Sequence, residues 1–451
     1  MNIDLPGSVA PETGSAQMQD APAPRLRSIT IPRAPGQESS LLDLLVRDDS
    51  LVWGRRGEGL VGFGEAVRFV ADGPDRFRRL RRWWADVSTA AEVQDDVDQP
   101  GTGPVAFSSI AFSGTSAHAS RLIVPRVLVG RSGDHGWLTL ITDDPEAELS
   151  AATAEAELAG LLEETSIERD LSPGSDQLVP GRVSEDQYEE SVRAGVRAIA
   201  AGELTKLVLA RDAVAELGSP LAVSQVLREL ALRYADCWTY SVDGLIGSTP
   251  EMLVKVSGNT ARARVLAGTL DRATAPAGDD GYAERMLSGN EKQRHEHRLA
   301  IDSLTLELGP LVTGMVSPEE PFVLELPNVW HLASDVEAQL RVHDDGTSPS
   351  ALDLAEVLHP TAAVCGTPTA TAADLILRLE KMDRGPYAGP VGWVDAMGNG
   401  EFGIALRGGV IESPTSVRLY AGCGIVAASD PAAELAESWA KMRPMREALN
   451  L

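Results

Sequence analysis

Residues 387–441 constrain the fold more than any other stretch of this 451-residue chain. They read YAGPVGWVDAMGNGEFGIALRGGVI, a short spacer, then LYAGCGIVAASDPAAELAESWAK. Apolar residues alternate on both sides of Gly398-Asn399-Gly400, which predicts a hairpin. On its second strand Glu401, Gly403, Ala405 and Arg407 share one face; Phe402, Ile404 and Leu406 share the other. A third strand is predicted to end in Gly422-Cys423-Gly424, where bare backbone N–H groups can approach an anion. A helix follows, with Asp430 as its cap, Pro431 at its first position, and Glu434, Glu437 and Lys441 on one face. An arginine, a glycine-flanked loop, two carboxylates and a lysine thus converge, which suits a carboxylate ligand held through a divalent metal. A Glu437–Lys441 ion pair on a surface helix has the same spacing. On spacing alone that pair is the commoner arrangement.

Charge narrows the partners. The net charge of −26 argues against nucleic acid, because phosphate binding needs a basic face. An anionic substrate would need positive groups concentrated locally. Lysine is scarce and first occurs at Lys206; Lys255, Lys292, Lys381 and Lys441 complete the set. Only lysine among the strong cations can serve as a neutral amine base near pH 7. Cys237, Cys365 and Cys423 are far apart and in no metal-ligand spacing, which suits a reducing cytoplasm. No apolar run is long enough to span a membrane.

In chain order, residues 1–25 are rich in Pro, Ala, Gly and Ser and are expected to be a disordered leader. From Ser28, strands are expected at SITIP, LLDLLV and LVWGRRGEGLVGFGEAVRFV, then a helix over 75–87 and an acidic loop over 91–103. More strands follow, then a helix over 144–165. The Pro/Gly-punctuated segment 171–182 is a linker within one domain, because strands on both sides can share sheets. Ser184 and Gln187 form a capping box for a helix with Tyr188, Val192, Val196 and Ile199 as its buried stripe. In the strand after it, Lys206 is in phase with Val208 and Ala210. Such a lysine is either an edge-strand gatekeeper or a desolvated base. Glu251 stands beside Pro250 where an apolar strand begins, and Gly268-Thr269 falls at a strand end. A long helix over 283–308 carries Lys292 and Glu296. His295 and His297 flank that glutamate at a spacing that does not match a zinc-binding helix. His331 lies in a strand and reads by itself as a core residue. A Pro/Gly/Thr-rich loop then leads into a helix over 372–382.

These blocks occur in one order: KLVLAR at Lys206, STPEMLV around Glu251, VLAGT at 265–269, Glu296-His297, and VWHLAS at His331. They continue with LHPTAAVCGTP at 358–368, YAGPVGW at 387–393, EFGIALR ending at Arg407, AGCGIV at 421–426, and the helix with Glu434, Glu437 and Lys441. The set resembles the chorismate-utilising enzymes, which include isochorismate synthase, salicylate synthase, anthranilate synthase and aminodeoxychorismate synthase. It covers residues 184–451; residues 26–183 fit the family's variable half only by length and strand content. The resemblance implies a single large α/β (α+β) domain of two packed, mainly antiparallel sheets with helices outside. It also implies Mg2+ held by Glu296 and Glu437, with Glu434 in support; oxygen donors and retained waters suit that ion.

Within the family, ammonia-using members typically carry glutamine at the position of Lys206, and water-using members carry lysine. The chemistry agrees, since water needs a base to become a nucleophile. Ala267 differs from the lysine nucleophile of aminodeoxychorismate synthase. LHPTAAVCGTP resembles the loop of isochorismate synthases, although Ala362 and Cys365 depart from its usual Pro and Gly, and Cys423 replaces a usual alanine. The resemblance therefore implies an isochorismate synthase, an isomerase acting on chorismate. The alternatives are salicylate synthase and a non-catalytic chorismate-binding subunit. Lys206 would be the general base and Glu251 the general acid. The ring carboxylate would meet Mg2+ and the N–H groups of Gly268 and Thr269. The enolpyruvyl carboxylate would meet Arg407, Tyr387 and the N–H groups around Gly422, Cys423 and Gly424. Lys441 would add charge, and His331 and Thr269 would orient the substrate. A cytoplasmic monomer without an amidotransferase partner is expected, serving either menaquinone or siderophore synthesis.

Overall fold

The computed structural model describes residues 23–33, 40–163, 176–272, 275–276, 278–325 and 329–451, less the side chains of Ala267, Thr269, Asp271, Lys292 and Glu296. The expected leader falls outside these residues except for 23–25. Two sheets, of 13 and 10 strands among the described residues, pack face to face. All their pairings are antiparallel except that between Arg27–Arg33 and Glu92–Asp95. Strands from both sides of residue 183 pair in each sheet: Trp238–Val242 with Leu51–Arg55 in the larger, and Pro390–Asp395 with Val105–Ser109 in the smaller. The interface between sheets is aromatic, built on Trp53, Phe107, Trp137, Trp238, Tyr240 and Trp393. Helices cover the outer faces, as in Glu185–Ala200 and Pro431–Ala448.

The sheets are joined by short crossings, and two of these position the site. Strand Leu245–Thr249 belongs to the larger sheet and Met252–Ser257 to the smaller, so Pro250 and Glu251 form the crossing. Strand Gly400–Ile404 belongs to the smaller sheet and Gly408–Ser413 to the larger, so residues 405–407 cross back. The crossings are tied together: Ile404 N donates to Glu251 O at 3.0 Å, and Ser248 N to Arg407 O at 3.4 Å.

The 398–400 turn closes a hairpin between Pro390–Asp395 and Gly400–Ile404, with Gly398 at φ +85°. The Asp395 carboxylate accepts from the backbone of Met397 and Asn399 inside the turn. The alternation predicted through Arg407 stops at Ile404, because the chain leaves that sheet there; Arg407 has φ +52°. Other expectations are also revised. LLDL is a 3-10 helix, Leu41–Leu44, capped by Ser40, and not a strand. Part of the acidic loop, Glu92–Asp95, is an edge strand. The long helix is two, Tyr282–Met286 and Glu291–Leu308. The Ser184–Gln187 capping box forms as expected. Its helix buries Gly195 and Ala198 more deeply than Val196 and Ile199, which pack at the margin.

Candidate active site

Strand Lys206–Glu216 sets one wall. Leu207 and Leu209 face helix Glu185–Ala200, where Gly195 lets the strand approach: a Cβ there would lie 3.0 Å from Leu207 Cδ2. By alternation Lys206 and Val208 face the other way, into a cavity of about 410 Å3. Lys206 does not guard an open edge, because Lys206 and Leu207 pair with Thr367 and Gly366 and Leu207 also pairs with Ile425. Beyond Leu207 the strand's outer edge is completed by Cys365 O, which accepts from Val208 N at 2.9 Å, and by a buried ion pair. Arg384 donates to Glu380 at 2.9 Å, to Val364 O at 2.8 Å and to Val208 O at 2.9 Å, while Glu380 accepts from Ala210 N at 2.7 Å. This pair fixes the strand bearing Lys206 against the 359–366 loop.

Strand Ser416–Ile425 forms the floor. It ends at Ile425, one residue past the predicted Gly422-Cys423-Gly424, and that triplet stays paired opposite Ala210, Leu209 and Val208. On its other edge Gly408–Ser413 pairs only as far as Leu419, so no strand pairs with that edge of 420–425 among the described residues. There the Gly422 carbonyl accepts from Lys441 Nζ at 2.9 Å. Alternation turns Tyr420, Gly422 and Gly424 into the cavity and Cys423 out of it. Cys423 is therefore not a substrate-facing residue. Its thiol meets Glu434 O at 3.3 Å in the packing beneath the last helix, and burial pushes it up to about 12. Both glycines stand at close approaches: a Cβ on Gly424 would lie 3.2 Å from Lys206 Cε, and one on Gly422 3.0 Å from backbone Leu209 O.

Helix Pro431–Ala448 lies over the floor. Asp430 caps it, accepting from Ala433 N at 2.9 Å, and Pro431 opens it, as the sequence indicates. Glu434, Glu437 and Lys441 all line the cavity. Lys441 Nζ is 2.7 Å from Glu437 Oε1. Glu437 is held below the usual carboxylate range, chiefly by Lys441; Glu434 is raised, chiefly by burial.

Opposite stand the two crossings. Glu251 and Arg407 line the same cavity. Burial pushes the Glu251 carboxyl up to about 7, although Lys206, Lys441 and Arg407 each pull it down. The residue is half-buried and lines the cavity. His331 is buried and, with Arg407 and Lys441 nearby, its imidazole drops to about 3 and stays neutral. Tyr387 stacks on Tyr420 at 5.2 Å, and burial keeps its phenol protonated, at about 12. Gly268 also lines the cavity. The strand does not end there; it runs from Thr260 to Asp271 and shifts register between Leu266 and Thr269, with Gly268 at φ +88°.

The match to the family model for chorismate binding enzymes runs over residues 16–450. The chain belongs to the chorismate binding enzyme family. This chorismate-binding enzyme is 36% identical over 277 residues to isochorismate synthase DhbC of Bacillus subtilis, covering 59% of this chain and 68% of that protein. It is 28% identical over 412 residues to isochorismate synthase MenF of the same organism, covering 86% and 85%. The solved structure of MenF, the menaquinone-specific isochorismate synthase from Escherichia coli, superposes with a TM-score of 0.73 at 26% identity, covering 96% of each chain.

Eleven expected site residues therefore line one cavity: Lys206, Glu251, Gly268, His331, Tyr387, Arg407, Gly422, Gly424, Glu434, Glu437 and Lys441. The side chains of Thr269 and Glu296 lie outside the described residues. Of the lining residues not anticipated, three bear on the site. Gln293 stands one helical turn before Glu296; its Oε1 is buried without a partner among the described residues, and a Cβ on Gly268 would come within 2.7 Å of it. Tyr420 lies two residues before Gly422 on the same strand face, so alternation could have found it. Arg384 sits in a loop whose local sequence gives no hint of its pairing.

Glu434 and Glu437 offer hard oxygen donors, and their ligand atoms lie with Cys423 Sγ inside 4.8 Å of one another. Cys423 keeps its proton, so the carboxylates alone suit a divalent cation such as Mg2+. No helix among the described residues is long and apolar enough to cross a membrane.

Proposed function

We propose that this enzyme is an isochorismate synthase that uses Mg2+ to convert chorismate into isochorismate. The observation that carries this reading is the pairing of Lys206 with a raised Glu251 carboxyl across one cavity that also holds Arg407 and Lys441. Glu434 and Glu437, with Glu296, would hold the ion; when bound it supplies positive charge for the substrate's ring carboxylate. The balance of the cavity fits that need. With Lys206 a neutral amine and Arg384 paired with Glu380, Arg407 and Lys441 are outnumbered by Asp430, Glu434 and Glu437, so a dicarboxylate enters favourably only with added positive charge.

Arg407 and the Tyr387 hydroxyl bind the enolpyruvyl carboxylate, with the open edge of 420–425 beside them. Neutral His331 and the Gly268 bulge orient the ring. Lys206, as a free amine, takes a proton from water as its oxygen bonds to C2. The ring double bonds shift toward C4. Glu251, protonated near neutral pH, gives its proton to the C4 hydroxyl, which departs as water. One water enters, one leaves, and an isomer results.

Lys206→Ala tests the base. Turnover of chorismate should fall about 100-fold or more, and near-parental turnover would overturn the assignment.

A further inference from the structure

A second cavity, of about 200 Å3, adjoins the active-site cavity. Glu251 and Ala363 line both. The other walls come from helix Glu291–Leu308, from the 359–363 loop and from the strand after Glu251. Small side chains, Ala300, Ala362 and Ala363, are among its lining and leave space unfilled. Its outer end is polar, with half-buried Ser303 and exposed Glu307 about one turn apart on the helix. A space of that size has room for about six waters at roughly 30 Å3 each, and Glu251, Ser303 and Glu307 supply polar partners along it.

The chemistry of the site calls for such a space. Resting on the proposed isochorismate synthase reaction, each turnover leaves Lys206 as the ammonium and Glu251 as the carboxylate. It also liberates a water molecule at C4, on the Glu251 side. Glu251 must regain a proton before the next cycle, and Lys206 must lose one. With substrate filling the larger cavity, Glu251 still borders the second cavity. We propose that this second cavity is a water port to Glu251, through which the acid is reprotonated and the water released from C4 departs. Proton and water balance hold: Lys206 returns its proton to solvent, Glu251 takes one from solvent through the port, and one water leaves for each one added.

The test plugs the port without touching the substrate's cavity. Ala300→Leu and Ser303→Leu fill it from two helix positions, and Glu307→Gln, on the exposed rim, removes the outer carboxylate without changing volume. Isochorismate formation from chorismate is measured in H2O and in D2O, alongside thermal unfolding. The expected result for each folded plug is an unchanged KM, a kcat lowered about tenfold, and an enlarged solvent isotope effect on kcat, because proton delivery becomes limiting. Glu307→Gln should lower kcat about two- to threefold with KM unchanged. If folded plugs, or Glu307→Gln alone should both plugs unfold, keep the parental kcat and isotope effect, the port is refuted. A parent enzyme that forms no isochorismate refutes the function instead, so the two failures are distinguishable.

Discussion

Gly424→Ala is the substitution whose effect follows most directly from the geometry. A Cβ at this position would lie 3.2 Å from Lys206 Cε and 3.9 Å from Nζ. Carbon atoms prefer roughly 3.5–4.0 Å, so a retreat of about 0.3–0.5 Å is needed to reach the near part of that range. The clash is with the end of a flexible side chain, so the fold absorbs it cheaply. Catalysis does not, because about 1 Å of misplacement can cost about 100-fold, and a shift of this size therefore costs roughly four- to tenfold in kcat. KM should change less than kcat, since the backbone N–H of residue 424 is kept and Arg407 and Tyr387 are untouched. Gly422→Ala provides the contrast: its Cβ would meet Leu209 O at 3.0 Å and Tyr387 Oη at 3.2 Å. Backbone cannot retreat as a lysine can, so this variant should lose about 1–3 kcal/mol of stability. The assay is steady-state formation of isochorismate, with urea unfolding of both variants. A Gly424→Ala enzyme with parental kcat would refute the placement of Lys206 against the strand.

Two further outcomes are expected. Arg384→Ala strands the buried Glu380 carboxylate and the carbonyls of Val208 and Val364, so denaturant unfolding should show a loss of about 3–5 kcal/mol; a loss under about 1 kcal/mol would contradict the structural role given to the pair. For pH, Glu251 must be protonated to act as an acid, so kcat/KM should decline as pH rises past about 7. The stability effect has the same direction: between its ordinary 4.5 and about 7 the unfolded chain gives up this proton before the folded chain does, so folding is weakened as pH rises. Glu251→Gln should remove that slope, and a pH–rate profile flat from 6 to 9 would argue against the acid.

Much of the floor and helix of this site was legible in the sequence because it is local. The turn at 398–400, the cap at Asp430 and the shared face of Glu434, Glu437 and Lys441 depend on spacing alone. The crossings were not legible. Arg407 reads as one more alternating residue, and only the sheet change, with a positive φ, explains why the strand stops at Ile404. Cys423 failed for a related reason. A glycine-flanked cysteine looks like an open loop, but its partner Leu209, 214 residues earlier on the strand bearing Lys206, keeps it in the ladder and turns its side chain inward. Lys206 itself was ambiguous until its neighbours on both edges were known. Arg384, which holds that strand, pairs across a distance no local pattern encodes.

The central claim is tested most directly by product analysis. Purified protein is incubated with chorismate and Mg2+, and again after treatment with EDTA, with no partner enzyme present. The account predicts isochorismate as the sole product with Mg2+, formed reversibly, and none after EDTA until the metal is restored. Salicylate fluorescence would instead identify a salicylate synthase, unconsumed chorismate a binding subunit, and full activity after EDTA would remove the metal role given to Glu296, Glu434 and Glu437.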